Sequence, residues 1–203
     1  MGDSMHDYAV IGHSRTVIGR WLGLLAIGCA GAMTSALAKL EQVTGFAMIG
    51  GVTITVGALF GGLNWAFNKW GWKLLGVGGY PQIGGLWIVK GKTQDENGQI
   101  RFEWEAVLDI QQMYETISVS LRTRQSTSQS DTASLTKVPG NNGGWRLSYG
   151  YQNTPKSGEF HELNAHRGFC EITFDEGLKT ATAQYFNNNG RRTFGVMDLE
   201  RKK

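Results

Sequence analysis

Arginine, hydroxyl and flat aromatic side chains gather at four places in the C-terminal part of the chain. These are Arg122-Thr123-Arg124-Gln125-Ser126-Thr127-Ser128-Gln129-Ser130, then Tyr149, Tyr151 and Asn153, then His166-Arg167, then Tyr185 with Arg191-Arg192-Thr193. Together they suit a ligand made of phosphates and bases: guanidinium and hydroxyl donors bond phosphate oxygens, and aromatic faces stack on bases. On spacing alone, a serine run also reads as a solvated loop. Catalytic arrangements are missing. Glu103 and Glu105 share a strand face about 7 Å apart, and two exposed glutamates account for them better than an acid–base pair does. His166 and Cys170 lie about 13 Å apart along one strand, too far for a nucleophile–base bond. There is no zinc spacing, no nucleophile elbow and no Walker loop, so no catalytic or metal-binding residue and no cofactor is expected.

The elements that must position these groups read as strands. From Leu86 onward the apolar pattern has period two, over Leu86–Lys90, Ile100–Gln111, Glu115–Arg124, Ala133–Val138, Trp145–Gln152, Gly168–Phe174, Thr180–Phe186 and Arg192–Glu200. Phe102, Trp104, Ala106, Leu108 and Ile110 fall on one face, opposed by Glu103, Glu105 and Asp109, as in antiparallel strands with one buried side. Turns are legible at Asp95-Glu96-Asn97-Gly98, Asn141-Asn142-Gly143-Gly144, Asp175-Glu176-Gly177 and Asn187-Asn188-Asn189-Gly190. Eight strands in sequence with short turns predict an up-and-down antiparallel β-barrel, lipocalin-like, with room for one small ligand in its mouth. An open sandwich is the other architecture.

In front of the strands stand two uncharged apolar segments, Trp21–Ala38 and Gln42–Asn68, separated by Lys39-Leu40-Glu41. At about 1.5 Å per residue, each is long enough to cross a hydrocarbon core of about 30 Å. The expected organisation is a tail over 1–20, a two-helix transmembrane hairpin over 21–68, a Gly-rich linker over 69–85 and the β domain over 86–203. Arg15, Arg20, Lys69 and Lys73 flank one end of the hairpin, with Trp21, Trp65, Trp70, Trp72 and Tyr80 as an aromatic belt there. The positive-inside rule then predicts a multi-pass membrane protein with both termini and the barrel in the cytoplasm, a membrane that the resemblance given below identifies as the bacterial inner membrane. Ala36-Leu37-Ala38 resembles a signal-peptide cleavage site, but immediate re-entry into a second apolar run argues against one. Gly19 and Gly23, and Gly57 and Gly61, are spaced for close helix packing, within one hairpin or between copies.

The chain has 203 residues and a formal net charge of +3. Of this, +2 lies before Gln82 and +1 from Lys90 onward. That balance excludes a long nucleic acid as partner, which needs many phosphate neutralisations, and leaves room for a small anionic ligand. Cys29 and Cys170 cannot meet, so both read as packing residues in a reducing compartment.

The motifs Leu121-x-Thr123-x-x-Ser126-x-Ser128-x-Ser130, Leu147-x-Tyr149-x-Tyr151-x-Asn153-x-Pro155, His166-x-Gly168 and Tyr185-Phe186, behind a membrane hairpin, resemble the two-transmembrane β-barrel effectors of bacterial CBASS antiphage systems. The likeness spans essentially the whole chain. It implies a non-enzymatic receptor whose barrel binds a cyclic dinucleotide made by a partner nucleotide synthase. Binding would drive homo-oligomerisation of the hairpins against membrane lipids, membrane disruption and abortive infection. It further implies ligand roles for Thr123, Ser126, Ser128, Tyr149, Tyr151, Asn153, His166 and Tyr185 and for an arginine at Arg191 or Arg192; Arg122 and Ser130 join them as members of the same polar run. A different function class, a membrane-tethered lipocalin-like carrier of an apolar molecule, fits the same strand count and would need an apolar cavity.

Overall fold

The computed structural model describes residues 5–45, 56–76, 79–140, 144–156, 165–188 and 193–202. The chain divides into two units: a β unit formed by Met1–Gly12 together with Gly78–Lys203, and a helical unit, His13–Val77.

The helical unit begins with α1, Arg15–Thr44. It runs straight through Lys39-Leu40-Glu41, where a turn was expected. Lys, Leu and Glu are all good helix formers, and nothing there breaks a helix. The stop comes at Gly45, whose φ of 66° supplies the left-handed cap and whose N–H reaches the Glu41 carbonyl at 2.9 Å. The hydroxyls of Thr34 and Thr44 donate back to the carbonyls of Ala30 and Leu40, satisfying themselves in an otherwise apolar helix. Next comes α2, Val56–Ala66, which passes into a π-helical turn, Phe67–Gly71, and a last turn α3, Trp72–Leu74. There Lys69 lies 5.3 and 4.8 Å from the rings of Trp65 and Trp70.

Among the described residues, α1 is the one helix long and apolar enough to cross a membrane. This corrects the expected two-span, multi-pass arrangement and the cytoplasmic placement drawn from it. Of the second segment, Gln42–Thr44 belong to α1 and 56–68 to α2 and the π-helical turn after it, and 46–55 lie outside the described residues. Of the charges used to orient two spans, Arg15, Arg20, Lys39 and Glu41 all belong to the one helix α1.

The β unit is a closed barrel of nine strands, which corrects the eight-stranded, lipocalin-like, up-and-down expectation. The strands are β1 His6–Val10, β2 Gly85–Gln94, β3 Ile100–Gln112, β4 Thr116–Arg122, β5 Ser126–Lys137, β6 Trp145–Pro155, β7 His166–Phe174, β8 Thr180–Asn187 and β9 Phe194–Arg201. The ninth is the first in sequence and comes from the supposed tail. β1 pairs antiparallel with β4 and parallel with β5, while β9 closes on β2. The serine-rich run expected as a loop is the first half of β5, whose Ser126 and Ser130 are buried. Loop propensity loses there because hydroxyls at alternate positions face a partly polar interior.

The apolar core fills one end of the sheet. Trp87 is fully buried against Phe174 at 5.1 Å, with Leu108, Ile110, Ile117, Leu135, Leu147 and Ile172 around them. This end is closed by the segment before β2, and Gln112 fixes it. Its Oε1 accepts the N–H groups of Ile83 and Gly84 at 3.0 and 3.2 Å, and its Nε2 donates to the Pro81 carbonyl at 3.1 Å and to the Tyr8 hydroxyl at 3.4 Å. Glu103 and Glu105 face outward, Glu103 being 3.7 Å from Lys92, as surface residues should.

Gln112→Leu orphans the buried N–H of Ile83, so it should destabilise the β unit by about 1–3 kcal/mol. Chemical denaturation followed by tryptophan fluorescence measures this, and an unchanged midpoint would show the clamp to be dispensable.

Candidate ligand-binding site

The opposite end of the barrel interior is polar and not filled. A cavity of about 140 Å³ opens there. Thr123, Ser126, Ser128, Tyr149, Tyr151, Asn153, His166 and Tyr185 all line it, so eight of the site residues read from the sequence share one wall. Strand register explains the convergence. Ser128 stands opposite Asn153, and Asn153 opposite His166; two inward positions further in, Tyr149, Cys170, Tyr185, Gly195, Thr93 and Phe102 form a single row across β6, β7, β8, β9, β2 and β3. All occupy inward positions, and side chains two apart on a strand share a face.

The remaining site residues are elsewhere. Arg122 points away from the cavity, and its Nη2 lies 3.1 Å from Asp109 Oδ2 on the outer surface. Ser130 is buried outside the cavity wall, accepting the Val119 N–H at 2.9 Å and lying 2.8 Å from His6 Nε2. Arg191 and Arg192 lie outside the described residues. Among the described residues, no Lys or Arg lines the cavity. In the helical unit, a side chain built at Gly19, Gly23 or Gly61 meets nothing within 4 Å among the described residues, and Gly57 is exposed. These small positions are therefore not filled by the described part of this chain's own helical unit.

Sequence reasoning missed Thr93, Trp104, Gln125, Asn187, Thr193 and Met197 in the lining. Several of them set the geometry. Trp104 Nε1 donates to Thr93 Oγ1 at 3.1 Å, and Thr93 in turn lies 2.8 Å from the Tyr185 hydroxyl. The Tyr151 hydroxyl donates to Asn187 Oδ1 at 2.7 Å, and Asn187 Nδ2 donates to Thr193 Oγ1 at 2.9 Å. Ser128 donates to Asn153 Oδ1 at 3.0 Å, which fixes the Asn153 amide with its NH2 group left for a ligand. Thr123 Oγ1 accepts the N–H groups of Gln125 and Ser126, at 3.2 and 2.9 Å, and so shapes the β4–β5 turn.

Three inward glycines make the room. A Cβ on Gly91 would stand 2.2 Å from the Trp104 ring, one on Gly168 2.4 Å from the Tyr151 ring, and one on Gly195 2.8 Å from the Tyr185 ring. Glycine inside a strand pattern was the available signal, since it marks a close approach. A larger, open depression of about 1070 Å³ lies on the outer surface, and its rim carries Asp175, Glu176, Asp198 and Glu200 against a single Lys90. That charge repels an anionic ligand.

At the cavity floor, Cys170 is buried beside Tyr149. Burial pushes its thiol up to about 12, an effect that a hydrogen bond from Tyr149 partly opposes. Burial likewise holds the Tyr149 phenol well above its usual range, with Cys170 adding to the shift. Both are neutral at physiological pH, so the floor is polarisable and uncharged.

Two comparisons with known proteins bear on this arrangement. The family described as "Cap15, cyclic dinucleotide receptor domain" matches residues 79–201, and that described as "Cap15, TM helices" matches residues 16–73. The chain is 35% identical over 207 residues to the CD-NTase-associated protein 15 of Yersinia aleksiciae, covering 97% of each. The β unit is thus a cyclic dinucleotide receptor domain, a binding module and not a catalytic one. The chain belongs to the Cap15 family of CD-NTase-associated CBASS effectors. This replaces the description drawn from short motifs, whose two-span, eight-strand architecture differs from the one membrane-length helix and nine strands described.

A pH prediction follows from the cavity floor. The folded thiol pKa of Cys170 is raised from 9.0 to about 12, so its contribution to stability is full below pH 9 and falls away as pH rises towards about 12. Cys170→Ser should flatten the alkaline decline in melting temperature. Iodoacetamide at pH 9 should leave Cys170 unmodified until denaturant is added, and rapid native labelling would refute its burial.

Proposed function

We propose that the cavity binds a cyclic dinucleotide, and that ligand-driven assembly of copies lets the helical unit disrupt a membrane and kill the infected cell. The carrying observation is the convergence of hydroxyl, amide, imidazole and phenol groups from β4 to β9 on one cavity in a domain of the cyclic dinucleotide receptor family. The cavity, about 140 Å³, is below the about 300–1,000 Å³ of ordinary ligand pockets. A dinucleotide would therefore seat one base or ribose inside, against Tyr149 and Tyr151, and keep the remainder at the mouth near Phe102 and Trp104.

Neutral donors read the ligand here. Asn153, Thr123, Ser126 and Ser128 offer amide and hydroxyl bonds, and aromatic faces are worth about 1–3 kcal/mol per stacked base. The output follows from linkage: a ligand shifts assembly only if it binds the assembled state more tightly than the free one. Gly19, Gly23 and Gly61, unfilled by the described residues, suit helix contacts between copies. The ligand would come from a partner nucleotide synthase, in keeping with the relative's designation as CD-NTase-associated.

A saturating cyclic dinucleotide at 100 times Kd should stabilise the β unit by about 2.7 kcal/mol, read as a rise in melting temperature. Tyr149→Ala and Asn153→Ala should abolish the rise, whereas Arg122→Ala, which faces outward, should keep it. No rise with any member of a dinucleotide panel, or a rise with fatty acids instead, would overturn the receptor reading in favour of an apolar carrier. In cells, Gly61→Leu should preserve the dinucleotide-induced rise and abolish toxicity; retained toxicity would remove Gly61 from the assembly contact.

A further inference from the structure

β1 sits in a gap of the sheet and not at a margin. β4 and β5 pair directly only over Ser120–Arg122 and Thr127–Gln129. Beyond the irregularity between Ser130 and Thr132 they part, and β1 fills the space, its His6 opposite Ile117 and its Tyr8, Ala9 and Val10 alongside Ala133, Ser134 and Leu135. The strand is five residues long. Two of its side chains, Tyr8 and Val10, are buried. Besides its ladder it is held by the contact from His6 Nε2 to Ser130 Oγ and by the Tyr8 hydroxyl, which donates to the Met113 carbonyl at 3.2 Å and accepts from Gln112 Nε2 at 3.4 Å.

So short a strand can leave, but the gap cannot stay empty. Its departure bares backbone donors and acceptors on β4 and β5 and opens an apolar slot beside Ile117 and Leu135. The slot is matched to one sequence, with Tyr and Val at alternate positions and a His at the entry. A second source of that strand is a second copy of this chain. We infer that the gap between β4 and β5 is the surface through which copies join, the β1 strand of one copy entering the gap of the next. Exchange of an identical element is a low-cost route to assembly, and donation from each copy to the next builds a ring or an open chain. The link from β1 to α1 is Ile11–Ser14, at most about 18 Å when extended, which confines donor and acceptor to adjacent copies.

The gap lies next to the cavity wall, joined to it by two residues that do not line the cavity, Ser130 and Asp131. Ser126 and Ser128 line the cavity, and Ser130, the next inward position on β5, holds His6. Asp131, at the irregularity, pairs with Arg167, whose neighbour His166 lines the cavity. A ligand that draws on Ser128 and His166 acts on both residues that shape the gap. This coupling rests on the receptor reading above.

The test uses the full-length chain in liposomes, in a Cys29→Ser background. Ala9 and Ser134 are Cα partners across β1 and β5, and neither is buried. Chains carrying Ala9→Cys alone and Ser134→Cys alone are mixed with a panel of cyclic dinucleotides of differing bases and linkage and oxidised with copper phenanthroline. A disulfide-linked pair of chains should rise several-fold with whichever dinucleotide raises the melting temperature, and Ser130→Ala should raise the ligand-free level. If the double variant on one chain closes fully within itself, and the mixture yields no linked pair while a dinucleotide still raises the melting temperature, strand exchange is overturned and the receptor reading stands. If no dinucleotide raises the melting temperature, the receptor reading falls and takes the inference with it.

Discussion

One glutamine side chain ties together the two places where the chain leaves and re-enters the β unit. Gln112 accepts from Ile83 and Gly84, which follow the helical unit in sequence, and donates to Tyr8, which precedes it. With its further bond to Pro81, the amide uses its donors and acceptor in a buried setting, where an unmet bond is costly. The position of β1, the cover over the apolar end and the start of β2 all depend on this clamp.

Above the clamp, the interior is graded by side-chain type. Large apolar groups at inward positions of β2, β3, β6 and β7 pack the lower half around Trp87 and Phe174. Higher up, the same inward positions carry Ser, Thr, Asn and Tyr, with glycine opposite the bulky rings. Alternation along the strands thus builds a core at one end and a cavity at the other, to which the β4–β5 turn adds Thr123 and Gln125.

Period two and the Asp- and Asn-rich turns carried most of β2 to β9, because each strand buries one face and the pattern reports burial directly. Of the candidate site, the shared parity of Tyr149 and Tyr151 on β6 is legible in the same way; Ser126 and Ser128 share a parity too, but a serine run reads as a loop, and their ligand roles rest on the family resemblance. What escaped was long-range. His6-Asp7-Tyr8-Ala9-Val10 alternates too briefly to stand out, and its partners lie more than a hundred residues away in sequence. The end of α1 escaped because two charges at Lys39 and Glu41 look like a turn, while Gly45, the residue that stops the helix, lies inside an apolar run. Arg122 was drawn into the site by composition, though its parity, opposite to that of Leu121 and Thr123, points it at Asp109.

The insertion of the helical unit between β1 and β2 also sets an order on synthesis. β1 is the earliest strand made and its partners come much later: Ile117 and Ala133 to Leu135 follow it by more than a hundred residues. At about 5–20 residues per second of translation, the strand waits some seconds without a ladder. Throughout that interval α1 is already made. The sheet cannot close until the helical unit, which lies between β1 and β2 in sequence, has been synthesised, so no closed β unit forms ahead of it.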